Sequence, residues 1–199
     1  MREYTGTVKV MSRSGVILLA CFVASLPAAT AACGGESAGS SSAVPPPAVL
    51  PASAVPYLPS TAQVLDASSL AHQDALPAVA DRLSGWGFRS AAQRTFQGQS
   101  KHLQIVISRT VQFDTPAGAS AYLDYLRANA NTVYGVSTQK PQRNRGRSGV
   151  VVHPQACACH MAAATFMGLL QDGSRISYLS LTGPKASVSV LQQLESLAP

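Results

Sequence analysis

The chain has 199 residues, a formal net charge of +6 and four cysteines. Hydrophobic residues make up 46% of it, and the length allows one ordinary domain with a hydrophobic core. The mild excess of basic residues favours an anionic surface as a neighbour and does not indicate nucleic-acid binding.

The first predicted element is an export signal in residues 1–32. Arg2, Lys9 and Arg13 precede an apolar run over residues 15–26. Positive charge followed by a short apolar run and small residues is typical of a secretory signal. A membrane span needs ~20 apolar residues, so this run is too short to be one.

The segment Thr30-Ala31-Ala32-Cys33 resembles the lipobox of bacterial lipoproteins, in which small residues precede a lipidated cysteine. The resemblance implies cleavage before Cys33, lipid on its thiol, and an anchor on the extracytoplasmic face of the cell membrane. The alternative is an ordinary signal peptide with an incidental cysteine. A composition rich in Ala, Gly, Pro and Arg, with few Lys, resembles that of actinobacterial lipoproteins.

Residues 33–61 are predicted to be a lipidated cysteine followed by a tether. Beyond Cys33 they contain Ser, Ala, Gly and Pro, with Glu36 as the only charge. A segment of this composition does not bury enough apolar surface to offset the entropy of ordering it.

Residues 62–199 are predicted to form one α+β domain. A helix is expected to begin at Asp74 as N-cap and to end at Gly85, and a strand to follow over residues 89–97. Residues 102–113 alternate between apolar and polar side chains, with Val106 and Arg109 as exceptions. That period of two predicts a long strand with one buried face, as in an antiparallel sheet.

The second half of the domain is predicted to contain further helices and strands. Thr115 or Asp114 is expected to cap a helix whose first turn holds Pro116. Residues 150–152 and 176–181 are predicted strands, with a hairpin turn at residues 171–174 between them, and residues 186–197 are predicted to form the last helix.

The order of these elements predicts an antiparallel sheet with helices packed on its apolar face. The order, with the strand-to-helix step Phe113-Asp114-Thr115-Pro116, is similar to small extracytoplasmic lipoprotein domains with a PsbP-like α/β/α sandwich. The resemblance implies an accessory or ligand-binding module, and it assigns no functional residues.

Residues 137–149 are predicted to be a basic loop. Lys140, Arg143, Arg145 and Arg147 fall within eight residues that contain no acid. One interpretation is attraction to anionic headgroups or wall polymers. The other, which the sequence favours, is a solvated loop without a partner.

The remaining candidate site is the Cys157-x-Cys159 pair. Cys21 leaves with the signal and Cys33 takes lipid, so two neighbouring thiols remain in an oxidising compartment. A disulfide is the leading interpretation. A soft-metal site for Cu or Zn that adds His153 or His160 is the second, and two buried small thiols are the third.

The sequence contains no recognisable catalytic motif. Each acidic residue has a structural explanation: Asp74 and Asp114 lie at expected helix starts, and Glu195 lies on an expected solvent face. The sequence therefore predicts a non-enzymatic lipoprotein, without a cofactor, that binds an envelope protein or small ligand. The alternatives are a thiol-redox or Cu/Zn-handling protein that uses Cys157 and Cys159, and a hydrolase without a visible signature.

Overall fold

The structure, a computed structural model, describes residues 45–74, 76, 79–135, 137–154 and 163–198. These residues all belong to one compact unit. No helix in this part of the chain is both long and apolar enough to cross a membrane.

Among the described residues, seven strands form one antiparallel sheet in the order β1-β2-β3-β7-β6-β5-β4. The strands are β1 Ser60–Leu65, β2 Phe88–Gln97, β3 Ile105–Phe113, β4 Ser137–Asn144, β5 Arg147–Pro154, β6 Ala164–Asp172 and β7 Arg175–Gly183. The predicted fold class, a single α+β domain built on an antiparallel sheet, is confirmed.

In the described part of the chain, five α-helices connect and cover the strands. They are α1 Ala67–Gln73, α2 Val79–Gly85, α3 Pro116–Ala128, α4 Ala130–Tyr134 and α5 Val188–Leu197. Side-chain caps begin three of them: Asp66 accepts a hydrogen bond from the Ser69 amide, Thr115 from Gly118, and Ser187 from Val190. Each cap pairs an otherwise unpartnered N–H of the first turn.

The sheet buries apolar side chains on both faces. Helices α1, α2 and α3 pack on one face, which we call the helical face, against residues such as Val111, Phe113 and Leu169. On the opposite face, α5 and the segment around Leu50 and Val55 form a second cluster.

Burial on both faces corrects the expectation that β3 has one buried face. Val111 and Phe113 lie in the core of the helical face, and Val106 lies in the opposite core. Ser108 and Thr110 are buried because they bond the backbone of the N-terminal segment: Leu50 N donates to Ser108 Oγ, and Thr110 Oγ1 donates to Ala48 O.

The same contacts show that the folded domain begins before residue 62. Leu50, Val55 and Leu58 are buried, and β1 starts at Ser60. The prediction that the tether extends to residue 61 was wrong for this stretch. The prolines indicated a tether, although the apolar side chains between them insert into the second core.

Two further element assignments differ from the prediction. Asp74 follows α1 instead of starting a helix, and the next helix begins at Val79. The expected basic loop is a hairpin of β4 and β5, with Arg145 and Gly146 at its turn in the left-handed region, at φ 51° and 81°. Pro141 lies in β4, an edge strand, where its missing N–H is tolerated.

Candidate functional site

Strand β1 is an edge strand that lacks the charges and prolines that usually prevent further pairing, and no described strand pairs with its outer edge. Its sequence, Ser-Thr-Ala-Gln-Val-Leu, contains neither charge nor proline, and Val64 is 65% exposed. The other edge strand, β4, carries Lys140, Pro141 and Arg143. Charges and proline on an edge strand prevent the addition of another strand, so the two edges differ in their readiness to accept one.

The outer edge of β1 presents unpaired backbone groups. Gln97 N donates to Pro59 O, and Pro59 is opposite Gln97 in the antiparallel register. Hydrogen-bonded pairs alternate along such a ladder, so Thr61 bonds β2 while Ala62 and Val64 direct their N–H and C=O groups outward. Among the described strands, none pairs with this edge.

An apolar groove follows β1 on the sheet face opposite the helical face. Its walls and floor come from the segment before Leu50 and from β1 and β2, and its volume is about 380 Å³. The lining residues are Pro46, Pro47, Ala48, Val49, Ala62, Gln63, Val64, Ala92, Gln93 and Arg94. Among these residues Arg94 carries the only charge.

Arg94 extends across the floor of the apolar groove toward the edge. Its Nη1 lies 3.3 Å from Ser60 Oγ, so the guanidinium reaches the neighbouring strand β1. Its Nε is buried and has no hydrogen-bond partner among the described residues. An incompletely bonded cation in an apolar groove is a place where a partner's carboxylate would be stabilised.

A polar cleft of about 500 Å³ follows β1 on the helical face, against α1. It is lined by Gln63, Val64, Leu65, Ser68, Ser69, His72 and Gln73. The free edge of β1 therefore lies between two clefts of different character, one mainly apolar and one mainly polar.

A buried ion pair fixes the elements that flank β1. Arg109 Nη1 donates to Asp74 Oδ1 at 2.5 Å, and the two side chains are only 8% and 4% exposed. Arg109 Nε donates to Gln93 Oε1 at 2.9 Å, and Nη2 donates to Gln73 Oε1 at 2.9 Å. Gln93 lines the apolar groove and Gln73 the polar cleft, so Arg109 joins α1, β2 and β3 beneath the edge.

Aromatic hydroxyls and rings complete this network. Tyr122 Oη donates to Asp74 Oδ2 at 2.6 Å, and the Arg109 guanidinium lies 5.0 Å from the Tyr178 ring centroid. Burial, and next the Asp74 carboxylate, raise the pKa of Tyr122 well above its usual value, so the phenol stays neutral and donates. Burial has the largest single effect on the pKa of Arg109 and lowers it, but Asp74, Tyr122 and Tyr178 together raise it more, so the net shift is upward. The network is therefore a fixed internal ion pair.

A second buried polar cluster lies where the β4–β5 hairpin meets α5. Glu195 is 3% exposed and accepts hydrogen bonds from Gln142 and from Asn144. Gly168 lies beneath it, where a Cβ would stand 1.9 Å from Glu195 Oε1. Burial raises the pKa of Glu195, although the bonds from Asn144 and Gln142 oppose this. The expectation that Glu195 faces solvent was wrong.

The arginines of this hairpin are occupied by the C-terminal end of α5. Arg147, which is 8% exposed, donates to Glu195 O at 2.6 Å, and Arg145 donates to Ser196 O at 2.7 Å. Cations are stabilised by the unpaired carbonyls of a helix C-terminus. The prediction that Arg147 contributes to an exposed basic surface was wrong because its guanidinium is buried.

Lys140 and Arg143 are exposed on β4. Alternate residues of a strand point to opposite faces, so these two side chains lie on different faces of the sheet. The four cations therefore do not form one patch in the structure.

The predicted lipidation, disulfide and metal sites fall on residues outside the described part of the chain: Cys33, Cys157, Cys159 and His160. His153 is described: its Nδ1 lies 2.8 Å from Thr165 O, and its ring stacks on Phe166. In the described part of the chain, no three His, Cys, Asp or Glu residues are grouped as a metal site.

Neither a protein-family model nor a curated protein matches this sequence. Among solved structures, the extracellular domain of PknH from Mycobacterium tuberculosis is similar with 13% identity and a TM-score of 0.42. The similarity covers 70% of this chain and 76% of that domain. Values this low carry no argument about function.

Sequence reasoning missed the edge of β1 and the ion pair beneath it. One signal pointed to the pair: Arg109 interrupts the otherwise apolar side of β3, and a charge there requires a buried partner. No comparable signal marks β1, because a short uncharged strand after a proline-rich stretch looks the same as a tether.

Proposed function

We propose that this protein is a lipid-anchored extracytoplasmic binding module that holds an envelope partner at the edge of β1. The observation that carries the proposal is the unprotected edge strand between two clefts, with Val64 exposed and Arg94 incompletely bonded. The export signal and the lipobox-like segment that ends at Cys33 support the location.

The ionisable groups of the two buried clusters favour binding over catalysis. Asp74 and Arg109 bond each other and neighbouring side chains, and Glu195 accepts bonds from its own hairpin. General acid–base catalysis needs a titratable group that reaches substrate in a cleft, and these groups are committed to internal partners.

The tether limits where the partner is located. Twelve residues separate Cys33 from Pro46, which lies thirteen positions later at the rim of the apolar groove. A fully extended chain covers ~3.5 Å per residue, so a lipid on Cys33 holds this rim within about 45 Å of the bilayer surface. The proposed partner therefore lies close to the membrane.

In-cell photo-crosslinking tests the proposal. A benzoylphenylalanine in place of Val64 is expected to give a defined adduct, whereas the same residue in place of Leu197, which is 55% exposed on α5, is expected to give none. Cys33→Ala is expected to remove a fatty-acid label and to release the protein from the membrane fraction. Identical adducts from both positions, or unchanged membrane association of Cys33→Ala, would contradict the proposal.

A further inference from the structure

We infer that the occupant of the β1 edge is an extended peptide segment of another protein that adds an eighth strand and carries an acidic side chain toward Arg94. The inference rests on the proposed function and names the chemistry of its partner. Strand addition uses main-chain hydrogen bonds for affinity and alternate side-chain pockets for specificity, and the β1 edge offers both.

The backbone part of the site consists of the outward groups of Ser60, Ala62 and Val64. These residues occupy the non-hydrogen-bonded positions opposite β2, so each has one N–H and one C=O available for a new strand. A strand paired there places alternate side chains in the apolar groove and in the polar cleft.

Arg94 sets the charge of the partner. Neighbouring strands lie ~4.8 Å apart, so an added strand runs about 9.6 Å from the Arg94 backbone. The residue between them in this row is Ala62, whose single methyl group leaves the path of the guanidinium open. The Nη1 atom already reaches Ser60 on β1, so a carboxylate on the added strand comes within bonding distance.

The apolar part of the groove sets a second requirement. Val64 and Ala62 lie on the same face of β1, and Val64 continues the groove formed by Pro47 and Val49. Residues two apart in a strand share a face. The partner segment therefore carries an aliphatic side chain opposite Val64 and an acidic side chain two or four positions away, opposite the Ser60 end.

A second copy of this chain does not meet these requirements. Antiparallel pairing of two β1 strands would bring two Arg94 side chains to the same face, and β1 itself supplies no acid. Charge complementarity therefore favours a different protein over self-association.

Peptide binding to the purified full chain tests the inference. The probe is a fluorescent, end-blocked peptide Thr-Val-Thr-Glu-Thr-Val-Thr with soluble flanks, and its controls replace Glu by Gln or Lys. We expect the Lys peptide to bind at least about tenfold more weakly than the Glu peptide, because a hydrogen-bonded ion pair is lost. Arg94→Glu is expected to prefer the Lys peptide, whereas Arg143→Glu on the opposite edge is expected to leave the preference unchanged.

Two variants separate strand addition from other binding modes. Ala62→Pro removes an outward N–H that β2 does not use, and proline is tolerated at such an edge position. Val64→Lys places a charge beside the new strand, and Leu197→Lys is its control. We expect the first two variants to keep their fold by circular dichroism and to lose the peptide.

Three results would overturn the inference. The first two are equal binding of the Glu and Lys peptides and peptide binding that is retained in Ala62→Pro. The third is a dimer of this chain in sedimentation experiments that is absent from the Val64→Lys variant. If Val64 still crosslinks to a specific partner while the peptides fail, the proposed function stands and the occupant is not an added strand. If Val64 gives no specific adduct in cells while the peptides bind as expected, the edge chemistry stands and the proposed function fails.

Discussion

Removal of Asp74 is expected to destabilise the described domain strongly. Its carboxylate receives a 2.5 Å bond from Arg109 and a 2.6 Å bond from Tyr122, and it is only 3% exposed. In Asp74→Ala both donors lose their acceptor, and a buried guanidinium loses its counter-charge. Breaking a buried pair in this way costs about 3–5 kcal/mol.

That loss is a large fraction of the roughly 5–15 kcal/mol that keeps a typical domain folded. For a domain of this size, 1 kcal/mol corresponds to ~2–4 °C in melting temperature, so the midpoint should fall by roughly 6–20 °C. Urea unfolding followed by circular dichroism measures the same difference from the shift of the midpoint at constant slope.

A double-mutant cycle tests the reason for the loss. Arg109→Met removes the charge and keeps an apolar stem, so Asp74→Ala combined with Arg109→Met leaves no unpaired charge. We expect the double variant to be more stable than Asp74→Ala, because an apolar pair often matches a buried ion pair. A cost below about 1 kcal/mol for Asp74→Ala, or additive losses in the double variant, would refute the reasoning.

Three further predictions concern the α5 cluster and the cysteines. Burial raises the folded-state pKa of Glu195, so its contribution to stability is present at low pH and is lost as the pH rises through that pKa; Glu195→Gln should remove this loss, and equal pH profiles would contradict it. Arg145→Ala and Arg147→Ala should both lower the melting temperature, Arg147 more because it is buried, and equal losses would contradict the packing. If Cys157 and Cys159 form a disulfide, the intact protein is two hydrogens lighter before reduction, and their double replacement by Ser costs only ~1–2 kcal/mol; alkylation of both thiols without reductant would exclude the bond.

The elements predictable from sequence are those whose signals are local. The apolar alternation predicts the strand β3, and Thr115-Pro116 predicts the start of α3; both elements are present in the structure, although β3 is buried on both faces. The Gly173 turn between β6 and β7 is of the same kind, with a φ of 54° that favours glycine.

The misassigned residues depend on distant partners. Asp74 is of a residue type that often caps helices, but its role is fixed by Arg109, which lies 35 positions later. Glu195 has the pattern of an exposed helix residue, but the β4–β5 hairpin covers it from about 50 residues earlier. Sequence spacing does not show such pairings, since they depend on how the sheet brings its strands together.

The candidate site was missed for a related reason. A free strand edge is defined by what does not pair with it, and this follows from the strand order β1-β2-β3-β7-β6-β5-β4. The prolines before Ser60 indicated a tether, and only the folded chain shows that Leu50 and Leu58 are buried beside the sheet.

Amide exchange measured by NMR tests the central claim most directly. With the Glu peptide at saturation, we expect slower exchange at Ala62 and Val64, whose N–H groups point outward, and little change at Thr61 and Gln63, which already bond β2. This alternation along one strand is specific to the addition of a neighbour. Saturation by the peptide with no change at Ala62 and Val64 would contradict the claim that the β1 edge is the binding site.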